Sequence, residues 1–228
     1  MTTSYFTKSS MKFLSDIAEN NNRDWFAENK HLYEENIRTP AFHFITDMAD
    51  ELAMLSTHFR ASPKKVGGSL MRIFRDVRFG KDKRPYKTNI GIHFRHAMGK
   101  DVHAPGFYVH IEPGDCFIGV GLWRPDSLSL GKVRDRICEQ SDQWTSVIKE
   151  KGFKKYFQLR GEGLKTGPRG YAKDHPLIAD LKRKDFIAVS KISDASVLNM
   201  KFKQQVVDRY HAANNYMKFL CHALELQY

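Results

Sequence analysis

Cysteine is scarce in this 228-residue chain: Cys116, Cys138 and Cys221 are odd in number and widely spaced. That pattern excludes a disulfide framework and a cysteine-based zinc cluster, and it points to a reducing, cytoplasmic compartment. Long hydrophobic runs are missing too. The longest apolar stretches are a few residues, far below the roughly 20 that a transmembrane helix needs, so no membrane partner is expected. The segment Met1 to Phe13 has no continuous apolar run behind a basic start, which argues against a secretory signal. Carboxylates are the minority charge, 26 Asp and Glu against 37 Lys and Arg, giving a net charge of +11. Such a balance favours an anionic partner and says nothing about fold. Aromatics are plentiful, with 16 Phe, 9 Tyr and 3 Trp in a chain that is 41% hydrophobic, enough to fill a core. Disordered chains are poor in such residues.

Several catalytic signatures are absent as well. Gly80-Lys81 and Gly99-Lys100 are followed by Asp, and Gly131-Lys132 by Val, so no phosphate loop supplies the Ser or Thr that a bound metal requires. His110-Ile111-Glu112 has the H-x-E order of zinc deaminases, but the required Pro-Cys-x-x-Cys is missing. Gly161-Glu162-Gly163 lacks the spacing of a dinucleotide loop. The sequence has no G-x-S-x-G, H-E-x-x-H or C-x-x-C. No cofactor and no metal is therefore expected, although His93, His110 and Glu112 are ligand types for a mononuclear site.

Charge is unevenly placed. Residues 1–63 carry six basic and nine acidic groups, whereas residues 64–100 carry eleven basic groups against Asp76 and Asp82 alone, net +9. Hydrophobic spacing divides the chain similarly. Phe13, Leu14 and Ile17 make a short amphipathic helix ended by Asn20-Asn21-Asn22. Trp25, Phe26, Leu32, Tyr33 and Ile37 make a second, and Thr39-Pro40 reads as the cap and first turn of a third, with Ile45, Met48, Leu52 and Leu55 as its stripe. Beyond Pro63 the period becomes two. Leu70 to Arg75, Ile90 to Ala97, Gly106 to Glu112 and Cys116 to Arg124 read as four strands, and Phe186 to Ile192 as a fifth. Pro113-Gly114-Asp115 reads as a hairpin turn, making the sheet an antiparallel meander. Helices follow through Leu128, Val133 and Ile137 and then Trp144, Val147 and Ile148. Next come a Gly-rich basic loop, a short helix from about His175 to Lys184, and a long terminal helix after Ser193-Asp194. Its stripe is Val206, Tyr210, Ala213, Met217, Leu220 and Leu224. The expected class is α+β: one domain over residues 1–228, helical in 1–63, with a mainly antiparallel sheet of four or five strands in 64–125 and helices again in 126–228.

The run RDVRFGKDKRPYKT, residues 75–88, resembles the signature of a conserved family, domain-of-unknown-function family 2461. Further blocks resemble it in the same order: NNNRDWFAENKHLY, FYVHIEPGDCFIGVGLWRPDSLSLGKVR and LRGEGLKTGPRGYAKDHPLIADLKRKDF. The resemblance brings no activity, substrate or catalytic residue with it, so the chemistry has to come from residue types.

Arg72, Arg75, Arg78, Lys81, Lys83, Arg84 and Lys87 crowd one short stretch, and such a field self-repels unless an anion neutralises it. Arginine forks grip phosphate or carboxylate oxygens in pairs, and Tyr86 or Phe79 offers a stacking ring. The competing reading pairs Asp76 and Asp82 with neighbouring arginines on a solvated face, where exposed pairs contribute only roughly 0 to 1 kcal/mol. Strand alternation sets Gly91, His93 and Arg95 opposite Ile90, Ile92 and Phe94, and sets Tyr108, His110 and Glu112 opposite Phe107, Val109 and Ile111. Gly119 and Gly121 share a face with Phe117 and Trp123. One sheet face is thus polar and ionisable, with Arg95 and Tyr108 as further ligand contacts. Three functions are consistent with these residues. The first is binding of an anionic ligand, nucleic acid or a phosphorylated small molecule, by the basic segment. The second is an enzyme acting on a small anionic substrate, with His93 or His110 as acid/base and Glu112 orienting it. The third is an interaction module using the terminal helix.

Overall fold

The structure, a computed structural model, describes residues 4–78, 80–99 and 104–228. Helix α1 (Lys8–Glu19) buries Phe13, Leu14 and Ile17 and ends at Asn20. Asn22 caps α2 (Arg23–Glu28) by accepting the Trp25 N–H. Helix α3 (Lys30–Tyr33) runs through one π-helical turn, Glu34–Arg38, straight into α4 (Thr39–Asp47), and α5 (Ala49–Leu55) follows. The sequence predicts a cap at Thr39. Instead Thr39 is helical (φ −61°, ψ −50°) and its N–H reaches back to the Glu34 carbonyl. Proline has no N–H to continue the ordinary ladder, and the widened turn ahead of Pro40 accommodates that gap without a break.

The sheet comprises β1 (Ile90–Arg95), β2 (Gly106–Ile111), β3 (Phe117–Leu122), β4 (Gln158–Arg160) and β5 (Phe186–Lys191). Their order is β1-β2-β3-β5-β4 and every neighbouring pair is antiparallel. Only the first three form the expected meander. Between β3 and β5 the chain passes through α6 (Ser127–Glu139), α7 (Ser141–Lys149), α8 (Lys151–Tyr156), β4 and α9 (Ile178–Leu181). The expected strand from Leu70 to Arg75 is not formed. Leu70 bridges to Ile92 and Phe74 to Tyr86 as isolated pairs, and the fifth strand is the short Gln158–Arg160 at the opposite edge. The expected long terminal helix is three: α10 (Asp194–Val197), α11 (Phe202–Ala212) and α12 (Asn214–Ala223).

Alternation decides which face is covered. Ile90, Ile92, Phe94, Phe107, Val109, Ile111, Ile118, Val120, Leu122, Phe186 and Ala188 are all buried on one side. Helical aromatics pack onto this row: Phe44 near Phe94 (6.4 Å between centroids), Tyr210 against Phe107 (4.6 Å) and Trp144 against Phe186 (5.8 Å). Each large side chain removed from water here contributes about 1.5–3 kcal/mol. Val206, Tyr210, Ala213, Met217 and Leu220 are fully buried, so the stripe expected as an interaction seam docks α11 and α12 on their own chain. The opposite row is only partly covered: His93, Tyr108, His110, Phe117, Ile187 and Val189 are half-buried.

Candidate functional site

The seven cations of the basic segment do not converge on one point. Arg75 and Arg84 both grip Asp82 (2.6 and 2.8 Å), and Arg78 forms a fork with Asp76 (2.7 Å). The guanidinium of Arg78 holds the Asp76 carboxyl down to about 2, and Arg84 with Arg75 holds that of Asp82 lower still. Lys83 donates to the Val77 carbonyl (2.9 Å), and Lys81 is exposed. Arg95 donates to the Gly67 carbonyl (3.3 Å). Tyr86 belongs to the core: its ring stacks on Phe26 (4.3 Å, 26°) and its N–H donates to Asn21 Oδ1 (3.0 Å). The expectation of a stacking ring at Tyr86 is therefore corrected. Phe79, the other expected ring, and Lys100 lie outside the described residues.

Arg72 and Lys87 behave differently. Lys87 is half-buried, and burial, aided by the nearby Arg72 charge, pushes its ammonium below the usual lysine range. Arg72 also lines a cleft of about 220 Å³ with Arg38, Lys64 and Lys65, over a floor of Tyr33, Phe42, Leu70 and Ile73. The π-helical turn presents Arg38, which is bonded to Glu34 while its guanidinium carbon lies 4.9 Å from the Tyr33 ring centroid. Among the described residues no carboxylate pairs with Lys64, Lys65 or Arg72. The sequence shows Lys64, Lys65 and Arg72 as members of a charge run, but it carries no signal that Arg38 joins them from the helical third.

The polar sheet face holds a hydrogen-bonded chain. The Tyr108 hydroxyl lies 3.0 Å from His110 Nδ1, His110 Nε2 lies 3.2 Å from Glu112, and Thr88 donates to Glu112 at 2.5 Å. A carboxylate accepts only, so Nε2 carries the proton and Nδ1 accepts from the phenol. Burial lowers the His110 pKa although Glu112 opposes the shift, and burial raises that of Tyr108. His110 also stacks on Phe117 (4.5 Å, 10°). His93 meets the Tyr108 ring edge-on (6.3 Å between centroids) without a hydrogen bond to this chain among the described residues. Its ring lies over Gly106, where an added Cβ would come within 2.1 Å of Nε2, just as the Tyr108 hydroxyl sits 2.8 Å from where a Cβ on Gly91 would be. The cross-strand glycines thus leave room for rings of the sheet itself. Burial, with a smaller contribution from Arg95, holds the His93 pKa at about 4. Among the described residues no three His, Cys, Asp or Glu side chains are grouped to hold a metal. Cys116 is buried, and burial pushes its thiol up to about 12, which does not suit a nucleophile.

Fold and site together define an α+β protein with one helix-covered sheet face, one partly covered polar face and a cation-lined cleft beside the β1 edge. The chain belongs to the family described as conserved hypothetical protein (DUF2461), whose model matches residues 9–219. No curated protein and no solved structure matches it.

Proposed function

We propose that this protein binds a compact phosphorylated ligand in the cleft lined by Arg38, Lys64, Lys65 and Arg72. One observation carries the reading: two separate stretches of chain bring four cations around a single concavity, and among the described residues only Arg38 of the four has a carboxylate partner. Like charges held together in this way favour an incoming anion, and a guanidinium fork matches phosphate oxygens. Titration calorimetry with pyrophosphate as probe tests it. Binding should weaken as salt rises, and Arg72→Ala should weaken it about tenfold or more, the scale of a lost charge-assisted hydrogen bond. Arg78→Ala, which removes a cation already paired with Asp76, should leave it unchanged. No binding of pyrophosphate at low salt overturns the proposal, and tighter, length-dependent binding of single-stranded oligonucleotides would replace the small ligand with a polymer.

A second reading is favoured by the Tyr108–His110–Glu112 chain, which is arranged to pass a proton. It is an enzyme acting on a small anionic substrate at the polar sheet face, with His110 as acid/base and Glu112 orienting it. Turnover of a phosphomonoester panel that is lost in His110→Gln and kept in His93→Asn would support it, and a panel with no turnover would remove it.

A further inference from the structure

A second concave site opens at the far end of the same sheet face. Trp123 continues the outward row of β3, and Ile187 of β5 faces that way as the partner of Gly121. With Pro125, Leu130, Arg124 and Lys184 they line a cavity of about 540 Å³, within the size range of small-molecule sites. Trp123 is 44% exposed although it is one of the largest apolar side chains in the protein.

The rim is held by a buried carboxylate. Asp185, 7% exposed, accepts the Arg124 N–H at 2.6 Å and the Glu162 N–H at 3.4 Å. No cation pairs with Asp185 among the described residues, so its charge is met by amides from both sides of the cavity. Arg124 sits at φ +46°, a backbone conformation that a long L side chain adopts only where its surroundings impose it. That conformation places its guanidinium 5.0 Å from the Trp123 ring centroid. Lys184 pairs with Glu162 (3.1 Å), whereas Arg124 forms no ion pair among the described residues.

We propose that this cavity binds a nucleoside monophosphate, its base against Trp123 and its phosphate on Arg124. The exposed part of the indole is what the base would meet, and a ring that already attracts a flat guanidinium attracts a heteroaromatic base by the same forces. Pro125, Leu130 and Ile187 supply the apolar flank that a base requires and a bare phosphate does not use. Lys184 is paired with Glu162, and the Asp185 carboxylate lies at the same rim as Arg124 without pairing with it, so the cavity has no excess of cations and charge alone does not select a ligand here. The ring has to contribute, which separates this site from the cleft near Arg72 and makes the two proposals independent.

Titration of the full chain with adenosine monophosphate, followed by calorimetry and tryptophan fluorescence, provides the test. Trp123→Ala and Arg124→Gln should each weaken binding about tenfold or more, Trp123→Phe should retain most of it, and Arg72→Ala should leave it unchanged. Adenosine and ribose 5-phosphate should each bind more weakly than the nucleotide. Unaltered thermal unfolding of the two weakened variants confirms that the loss is local. The proposal is overturned if the nucleotide fails to bind at millimolar concentration, if ribose 5-phosphate binds as well, or if Arg72→Ala rather than Trp123→Ala abolishes binding. Pyrophosphate binding in the Trp123→Ala variant reports on the cleft separately.

Discussion

His93 makes the stability of this protein depend on pH in a direction that can be worked out. Its ring is pressed over Gly106 beside Arg95, so it stays neutral down to about 4 in the folded chain, against 6.5 for an unperturbed imidazole. The folded pKa is depressed, so the unfolded chain binds the extra proton first. Stability is fully present above pH 6.5 and falls as pH drops towards 4. At about 1.4 kcal/mol per unit, the shift corresponds to about 3 kcal/mol, of which roughly 2.5 kcal/mol should be lost between about pH 7.5 and pH 4.5. His110, His96 and His222 are also lowered and act in the same direction, so the measurement must be a difference between variants. Urea unfolding of wild type and His93→Asn at both pH values supplies it. The variant should lose about 2.5 kcal/mol less on acidification than wild type. Equal losses in the two proteins, or an NMR titration of the His93 ring centred near 6.5, would refute the argument.

Tyr86→Ala removes a core ring stacked on Phe26 and should cost about 3–5 kcal/mol in chemical unfolding; a loss much smaller than that would return Tyr86 to the surface. Arg134→Ala strips the donors from the Leu181 and Arg183 carbonyls (2.7 and 2.9 Å) in a buried setting, with an expected cost of about 1–3 kcal/mol in the same assay. Asp82→Asn loosens the fork that ties Arg75 to Arg84, so limited proteolysis should cut between residues 76 and 84 sooner while the melting temperature stays within error. Unchanged cleavage in that segment would show that the pairing does not order it.

Most of the sheet is legible in the sequence because burial on one face writes a period of two. Ile90, Ile92 and Phe94 alternate with Gly91, His93 and Arg95, and both sets fall on the faces expected. Short edge elements leave no such record. Gln158–Arg160 has too few residues to display a period, and Leu70 to Arg75 displays one without building a ladder, because only isolated residues of it meet a partner. The terminal stripe survives the break at Ala213 since one irregular residue hardly rotates the helix face, so spacing alone joins α11 to α12. At the site, the pairing of His110 with Glu112 follows from their shared face, two residues apart. The cleft does not follow, because a count of charge along the chain cannot bring residue 38 beside residue 72. The pairing of Asp76 and Asp82 with neighbouring arginines is open to the sequence as the competing reading, and it occupies Arg75, Arg78 and Arg84.

The path taken between β3 and β5 also bears on how the chain assembles. The hairpins from residue 90 to residue 122 close locally, but Ile118, Val120 and Leu122 remain an open margin until Phe186–Lys191 returns from beyond five intervening elements. Non-local pairing of this kind is slow, and an unpaired apolar strand templates addition of strands from other copies. A chain cut short before Phe186 would therefore be expected to self-associate through that margin, which makes the last 43 residues of the polypeptide the cover of an edge that otherwise invites other strands.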